Sequence, residues 1–476
     1  MTPQAAFEAL NRAAAIAPLS MAGFDGPEAI VPSPFRAATA AAAAHGFAGA
    51  TAAEIWRFRG GDRQQVSIDL RAAAATLVPQ YKLNGTQVAP ALPATAATGF
   101  YQSADRHWLH LYGGFPHLAR RTFDLLNAHD DVASVLEAVA KWNGFALEEA
   151  MAFLGLCGAV VRSEDEWRKV GRQATAPVVL TPIVLTKVAP GPPAALREST
   201  TPLGGLKVLD LTRAVAGPLA TQVLASHGAE VLRVTAERVP PAGDFDRIYA
   251  ADKRQTHLDL AIPAGAEALR RLARQADIFV DSYRPGALTG LGFSPAALAH
   301  LTPGMITVSI AAFGGPWAAR RGFEATVQAA TGLAAEQGAF EASRRGRGFQ
   351  PAVIPAAVCA TVTGALAAAG AMAAVLRRIR EGGSWHVEVS LAATAAWLSS
   401  LGRIAAGSVP EAFEPFAGLD QYLHSCETKD GWFECLGPVV RMSKTPPLGS
   451  ALPDEFISPH WASAHEEANA AEIQPA

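Results

Sequence analysis

Residues 205–234, GLKVLDLTRAVAGPLATQVLASHGAEVLRV, constrain the fold more than any other part of this sequence. Residues 206–211 are a short run rich in branched aliphatic side chains, long enough for a strand and too short for a helix. Gly217 and Pro218 then open a helix, with proline where its missing N–H costs little. Leu219, Val223 and Leu224 give that helix an apolar stripe, and Gly228 sits where a left-handed cap ends it. A second strand follows at 230–234. A strand–helix–strand unit of this length predicts parallel pairing through a right-handed crossover. The loop 212–217 therefore lies at the carboxyl end of a strand and the amino end of a helix, where anionic ligands bind.

The 476 residues, half of them hydrophobic and 17% charged, suffice for two or more domains around a large core. A formal charge of −3 argues against a nucleic-acid partner, which favours a basic excess. Cys157, Cys359, Cys426 and Cys435 lack CxxC spacing, so they suit a reducing compartment and offer no zinc site. The N-terminus shows no charged start followed by an apolar core, and no secretory signal is expected. Residues 352–376 carry no charge over a length that can cross a bilayer. Their Ala, Gly and Thr content and Pro355 predict a buried helix of an α/β protein instead, with no membrane partner.

Further motifs follow the first unit in order: DKRQTHLDL at 252–260, ADIFVDSYRPGALTGLGF at 276–293, SIAAFGGPWAARRGFEATVQAATG at 309–332 and VLRRIREGGSWHVEVSLAATAAWL at 375–398. With 205–234, this set resembles the family III CoA-transferases (CaiB/BaiF), the group of formyl-CoA and carnitine CoA-transferases and α-methylacyl-CoA racemases. The resemblance implies an α/β protein, with a Rossmann-like large domain built on a parallel sheet and a smaller α+β domain. It implies a cytoplasmic homodimer that moves CoA between an acyl-CoA and a carboxylic acid, with CoA as substrate and no separate cofactor. A catalytically silent CoA-binding partner subunit and an acyl-CoA isomerase or lyase are the alternatives.

Coenzyme A brings several phosphates, so its site needs cations and backbone donors. Thr212, Arg213 and Gly217 belong to the loop expected to face the nucleotide. Arg233, near the end of the second strand, and Arg284, after a later one, are candidate phosphate partners. Lys253 and Arg254 stand at the family's Asn-Lys-Arg signature, with Asp252 in place of the asparagine. A GxGxxG motif is missing after the first strand, which argues against a dinucleotide.

The resemblance also implies a nucleophilic aspartate four residues before the glycine of a small-residue helix. That carboxylate attacks the thioester and forms a mixed anhydride, which the released CoA thiolate then attacks. Here the glycine is Gly364, and Ala360 occupies the nucleophile's position. Two nearby groups are candidates to replace it. Glu324 matches a family aspartate near the pocket, and it can act as base or nucleophile or merely bond backbone amides at a helix start. Cys359 adjoins Ala360, as a thiol nucleophile or as a small buried hydrophobe. The racemases of the family place a histidine before that acidic residue, where this chain has Phe323, so racemisation is disfavoured. His107, His110 and His117 fail a helical zinc spacing, and no metal site is expected.

Two segments repeat. QVSIDLRAAAATL at 65–77 echoes HVEVSLAATAAWL at 386–398, and ADRHWLHLYGG at 104–114 echoes KDGWFECLGP at 429–438. Repeats this far apart indicate duplication of a whole unit. The expected division is a small-domain-like segment with helices at 1–190, a Pro-rich linker at 191–204, the large CoA-binding domain at 205–405, and a truncated second small-domain segment with a polar tail at 406–476.

Overall fold

A computed structural model of the chain describes residues 1–14, 22–90, 93–172, 181–237, 243–284, 286–449, 452 and 456–462. Its main sheet has seven strands: β1 (Val184–Ala189), β2 (Lys207–Leu211), β3 (Glu230–Thr235), β4 (Arg254–His257), β5 (Ile278–Asp281), β6 (Ile306–Ala311) and β7 (Ser384–Ser390). They lie in the order β4-β3-β2-β5-β6-β7-β1. All neighbours pair in parallel except β7 and β1, which are antiparallel. The strand–helix–strand unit forms as its spacing predicts, with helix Ala216–Ser226 between β2 and β3. The order reverses between β2 and β5, which opens a crevice at the carboxyl ends of those two strands.

Two long helices carry the centre of the molecule: α1 (Ala37–Phe58) and α2 (Val358–Glu381). They pack on each other and form the most extensive helix–helix contact in the chain. Alanine and glycine dominate both, so no long side chain separates the backbones. Helix α2 is the described helix long and apolar enough to cross a membrane, and it is buried within the fold instead. Gly364 shows how close the packing is, because a Cβ there would come within 2.5 Å of the Ala216 carbonyl oxygen. Gly364→Ala is therefore expected to lower stability by about 1–3 kcal/mol, through a forced backbone shift. A urea melt with an unchanged midpoint would contradict this packing.

The repeat read from the sequence is structural. Helix α1, strand Val66–Asp69 and helix Leu70–Ala75 follow one another as do α2, β7 and helix Leu391–Ser400. The interval from Ala37 to Leu70 equals that from Val358 to Leu391, so Thr39 is the counterpart of Ala360. In the first copy the sheet has shrunk to three strands, Ala22–Asp25, Val66–Asp69 and Val440–Met442.

The remaining strands belong to two small sheets. Gly99–Gln102, Trp108–Leu111 and Gly158–Val160 form one, beside helices Pro116–Leu126, Val132–Val139 and Gly144–Phe153. The other joins Leu423–Thr428 and Gly431–Leu436 to Tyr81–Leu83 and Thr86–Val88. Strands from 406–449 thus pair with strands from 66–88, and the two end segments interleave. The last part of the segment expected to be small-domain-like contributes β1 to the edge of the large sheet, while 191–204 holds no helix or strand. The polar tail lies outside the described residues from 463 onward.

Candidate active site

The crevice begins with a buried carboxylate. Asp210 in β2 is fully buried, and its Oδ1 accepts the Thr212 backbone N–H at 3.0 Å and the Thr212 hydroxyl at 2.5 Å. Its Oδ2 accepts the Thr221 hydroxyl at 2.5 Å and Lys253 Nζ at 3.1 Å. The same ammonium donates to the Pro218 carbonyl and to Thr221 Oγ1, both at 2.7 Å. This network ties the strand end to the start of the next helix and fixes the loop between them. Gly217 completes the turn, since a Cβ there would lie 2.2 Å from the Thr212 side chain. Ala214, at the tip, adopts φ 67°, a left-handed conformation that alanine rarely takes and that surrounding structure must enforce.

Over that loop lie two joined chambers. The apolar one encloses about 1590 Å³ of empty space, open to solvent. The large domain lines it with Val215, Gly217, Ile354 and Ala360; the N-terminal part supplies Leu77–Pro79, Tyr112 and Phe115. The second encloses about 1110 Å³ and shares Phe115, Arg213, Ala214 and Phe323 with the first. Phe323 marks the junction, stacked on Tyr112 at 4.4 Å and tilted against Phe115 at 5.4 Å.

The second chamber is basic. His117, Arg213, Arg284, Arg320 and Arg321 line it, and no acidic side chain does so among the described residues. The His117 ring reports the local charge: burial lowers its pKa first, and then Arg321, Arg213, Arg121 and Arg120 lower it further. Arg321 is likewise pulled below its ordinary value by burial and then by Arg284. Arg320 is already paired, with Glu149 at 2.5 Å. Cations crowded at the carboxyl edge of a parallel sheet make a site for a multiply charged anion.

Of the cations expected from sequence, Arg213 and Arg284 reach this chamber, and three do not. Arg233 points into the protein, where it pairs with Asp246 and donates to Gln255 Oε1 at 3.2 Å. Lys253 is enclosed by the Asp210 network. Arg254 pairs with Glu230 at 3.3 Å, beside His460. The reason is local pairing. Lys253, just before β4, reaches Asp210 near the carboxyl end of β2 and the Pro218 carbonyl beyond it, and Arg254, in register with Leu232, turns to Glu230. Thr212 likewise serves the loop's own framework. Sequence reading missed Arg321, whose signal was the Arg-Arg-Gly run before Phe323. It also missed Arg120, Arg121 and His117, which belong to a separate small sheet and helix unit. His110, by contrast, is buried in that unit with a pKa lowered to about 4 by burial.

At the floor of the apolar chamber, Ala360 stands in the first turn of α2 and Glu324 lies beside it. Glu324 Oε1 accepts the Cys359 backbone N–H at 2.9 Å and Gln328 Nε2 at 2.7 Å, while Oε2 accepts the Ala360 N–H at 2.6 Å. Glu324 thus caps α2, whose first amides have no partner within the helix. Burial raises its pKa, and these donors oppose the rise. Glu324 is the only carboxylate lining either chamber among the described residues. The Cys359 thiol is fully buried, and burial and Glu324 push its pKa well above the ordinary range, so it is no thiolate nucleophile.

An open parallel sheet with an arginine-lined chamber joined to an apolar one defines an α/β protein built to hold a large anion beside an apolar group. The sequence profile of CoA-transferase family III matches residues 203–439. The chain is 30% identical over 408 residues to an acyl-CoA transferase of Gibberella moniliformis, covering 76% of this chain and 70% of that one. It is 29% identical to acetyl-coenzyme A transferase nodX of Hypoxylon pulicicidum, covering 63% of this chain and 54% of the relative. A formyl-CoA:oxalate CoA-transferase of Escherichia coli is 32% identical over 206 residues, 40% of this chain and 48% of that one. A CAIB/BAIF family protein of Brucella suis aligns in structure with a TM-score of 0.38 at 25% identity, over 49% of this chain and 65% of that one. The chain belongs to CoA-transferase family III, and its expected activity is CoA transfer.

Proposed function

We propose that this chain transfers CoA between an acyl-CoA and a carboxylic acid within the paired chambers, with Glu324 in the role of the aspartate that Ala360 replaces. The observation that carries this reading is that Glu324 is the single carboxylate lining them among the described residues. The CoA phosphates lie against Arg213, Arg284 and Arg321, and the acyl group lies in the apolar chamber. A Glu324 oxygen attacks the thioester carbonyl, the C–S bond breaks, and CoA leaves as the thiolate. The thiolate then attacks the glutamyl carbonyl of the mixed anhydride and expels the first acid. The incoming acid attacks the resulting glutamyl thioester, CoA leaves again, and it recombines with the new anhydride to give the second acyl-CoA.

The competing reading is a silent CoA-binding protein, favoured by the three hydrogen bonds that already occupy Glu324. Mass-spectrometric trapping separates the two. An acyl or CoA adduct on Glu324, lost in Glu324→Gln, supports transfer; tight CoA binding with no adduct and no turnover supports the silent protein.

Arg213→Ala, Arg284→Ala and Arg321→Ala are each expected to weaken CoA binding by about 10-fold or more, the scale of a hydrogen bond between charged partners. The loss should shrink as salt rises. Calorimetry showing unchanged affinity in all three would remove the phosphates from this chamber. The cleft draws walls from both halves of the chain, and the homodimer that the family resemblance implies is part of this proposal. The four cysteines are free, which suits the cytoplasm.

A further inference from the structure

A third cavity lies on the far side of Val78 and Pro79 from the apolar chamber, and these two residues form the wall between them. It encloses about 800 Å³ of empty space, including its mouth. Leu219, Val223, Ile248 and Val440 make most of it apolar. Two buried side chains break that pattern. Gln80 is 5% exposed and its Nε2 has no hydrogen-bond partner, although its Oε1 accepts Gln87 Nε2 at 2.5 Å. His227 is 2% exposed and its Nδ1 is likewise without a partner. Buried polar groups without a partner are costly, and native proteins rarely tolerate them without something to fill the role.

We propose that this cavity is a second ligand site, taking a small uncharged molecule with an apolar body and a single hydroxyl or carbonyl that hydrogen-bonds Gln80 and His227. Gln80 Nε2 can only donate, which calls for an acceptor on the ligand, and the imidazole donates or accepts according to its tautomer. Charge decides the rest. His45 and His227 are both held neutral, their pKa values lowered to about 4 by burial. No lysine or arginine lines the cavity among the described residues, so an anion has no counter-charge there. Asp252 is the one acidic side chain lining it among the described residues, and it is already engaged.

The test uses 4-bromophenol, which is protonated at neutral pH and whose bromine scatters anomalously. Crystals of the full chain grown with it are expected to show a bromine peak inside this cavity, with the phenol oxygen bonded to Gln80 or His227. Gln80→Leu should weaken calorimetric binding of the probe by about 10-fold while leaving CoA binding unchanged. A peak only in the acyl chamber, no peak at all, or ordered water alone on both orphan atoms would overturn the proposal. If Gln80→Leu does not fold, the bromine position in the wild-type crystal decides by itself.

Discussion

Replacing Ala360 with aspartate is expected to raise CoA-transfer turnover about 10²- to 10⁴-fold, the scale on which loss of a central nucleophile is felt. That factor corresponds to about 3–6 kcal/mol of barrier. The structure gives the substitution room, because Ala360 lines the apolar chamber and a longer side chain there extends into open space. It also predicts a distinctive pH dependence. The new carboxylate would stand beside Glu324, whose pKa burial already raises. Two neighbouring carboxylates resist ionising together, so the pair should titrate as a unit with its upper step displaced to higher pH. The attacking group must be ionised, so activity should fall as pH drops through that raised step. Adding Glu324→Gln to Ala360→Asp removes the neighbouring charge and should move the acid limb to lower pH. Turnover unchanged from wild type across a panel of acids, at every pH, would show that position 360 does not face the reacting carbonyl.

The second large effect concerns folding. Lys253→Met is expected to destabilise the protein by about 3–5 kcal/mol, since it leaves Asp210 buried without its counter-charge. Burial pulls the Lys253 pKa down, and Asp210 opposes that pull. Converting both partners together, Asp210→Leu with Lys253→Met, should recover part of the loss, because no isolated charge then remains. Arg254→Ala, by contrast, removes a partly exposed pair with Glu230 and should cost less than about 1 kcal/mol. Urea unfolding measures all three. A Lys253→Met protein as stable as wild type would mean that this ammonium is not structural.

That contrast shows what the sequence could and could not reveal. The motif 205–234 was legible because the signals for strand, turn and helix lie within one local stretch and agree with one another. The duplication was legible for the same reason, as the strand and following helix repeat side chain by side chain. The placement of Lys253 and Arg254 was not. What each cation meets is set by carboxylates distant in sequence, Asp210 for Lys253 and Glu230 for Arg254. The basic chamber was half legible. Arg213 and Arg284 sit in motifs of the large domain, whereas His117 belongs to a unit whose docking over the crevice leaves no local trace.

The shrunken first copy has a consequence for how this polypeptide responds to its ligand. Thr39, the position matching Ala360, is completely shut away from solvent, whereas Ala360 lines the apolar chamber. If the thioester binds at Ala360, the first copy has no matching place at Thr39. Saturation is then expected at one equivalent per polypeptide, and any cooperativity would run between polypeptides, because it requires a second binding event to couple to.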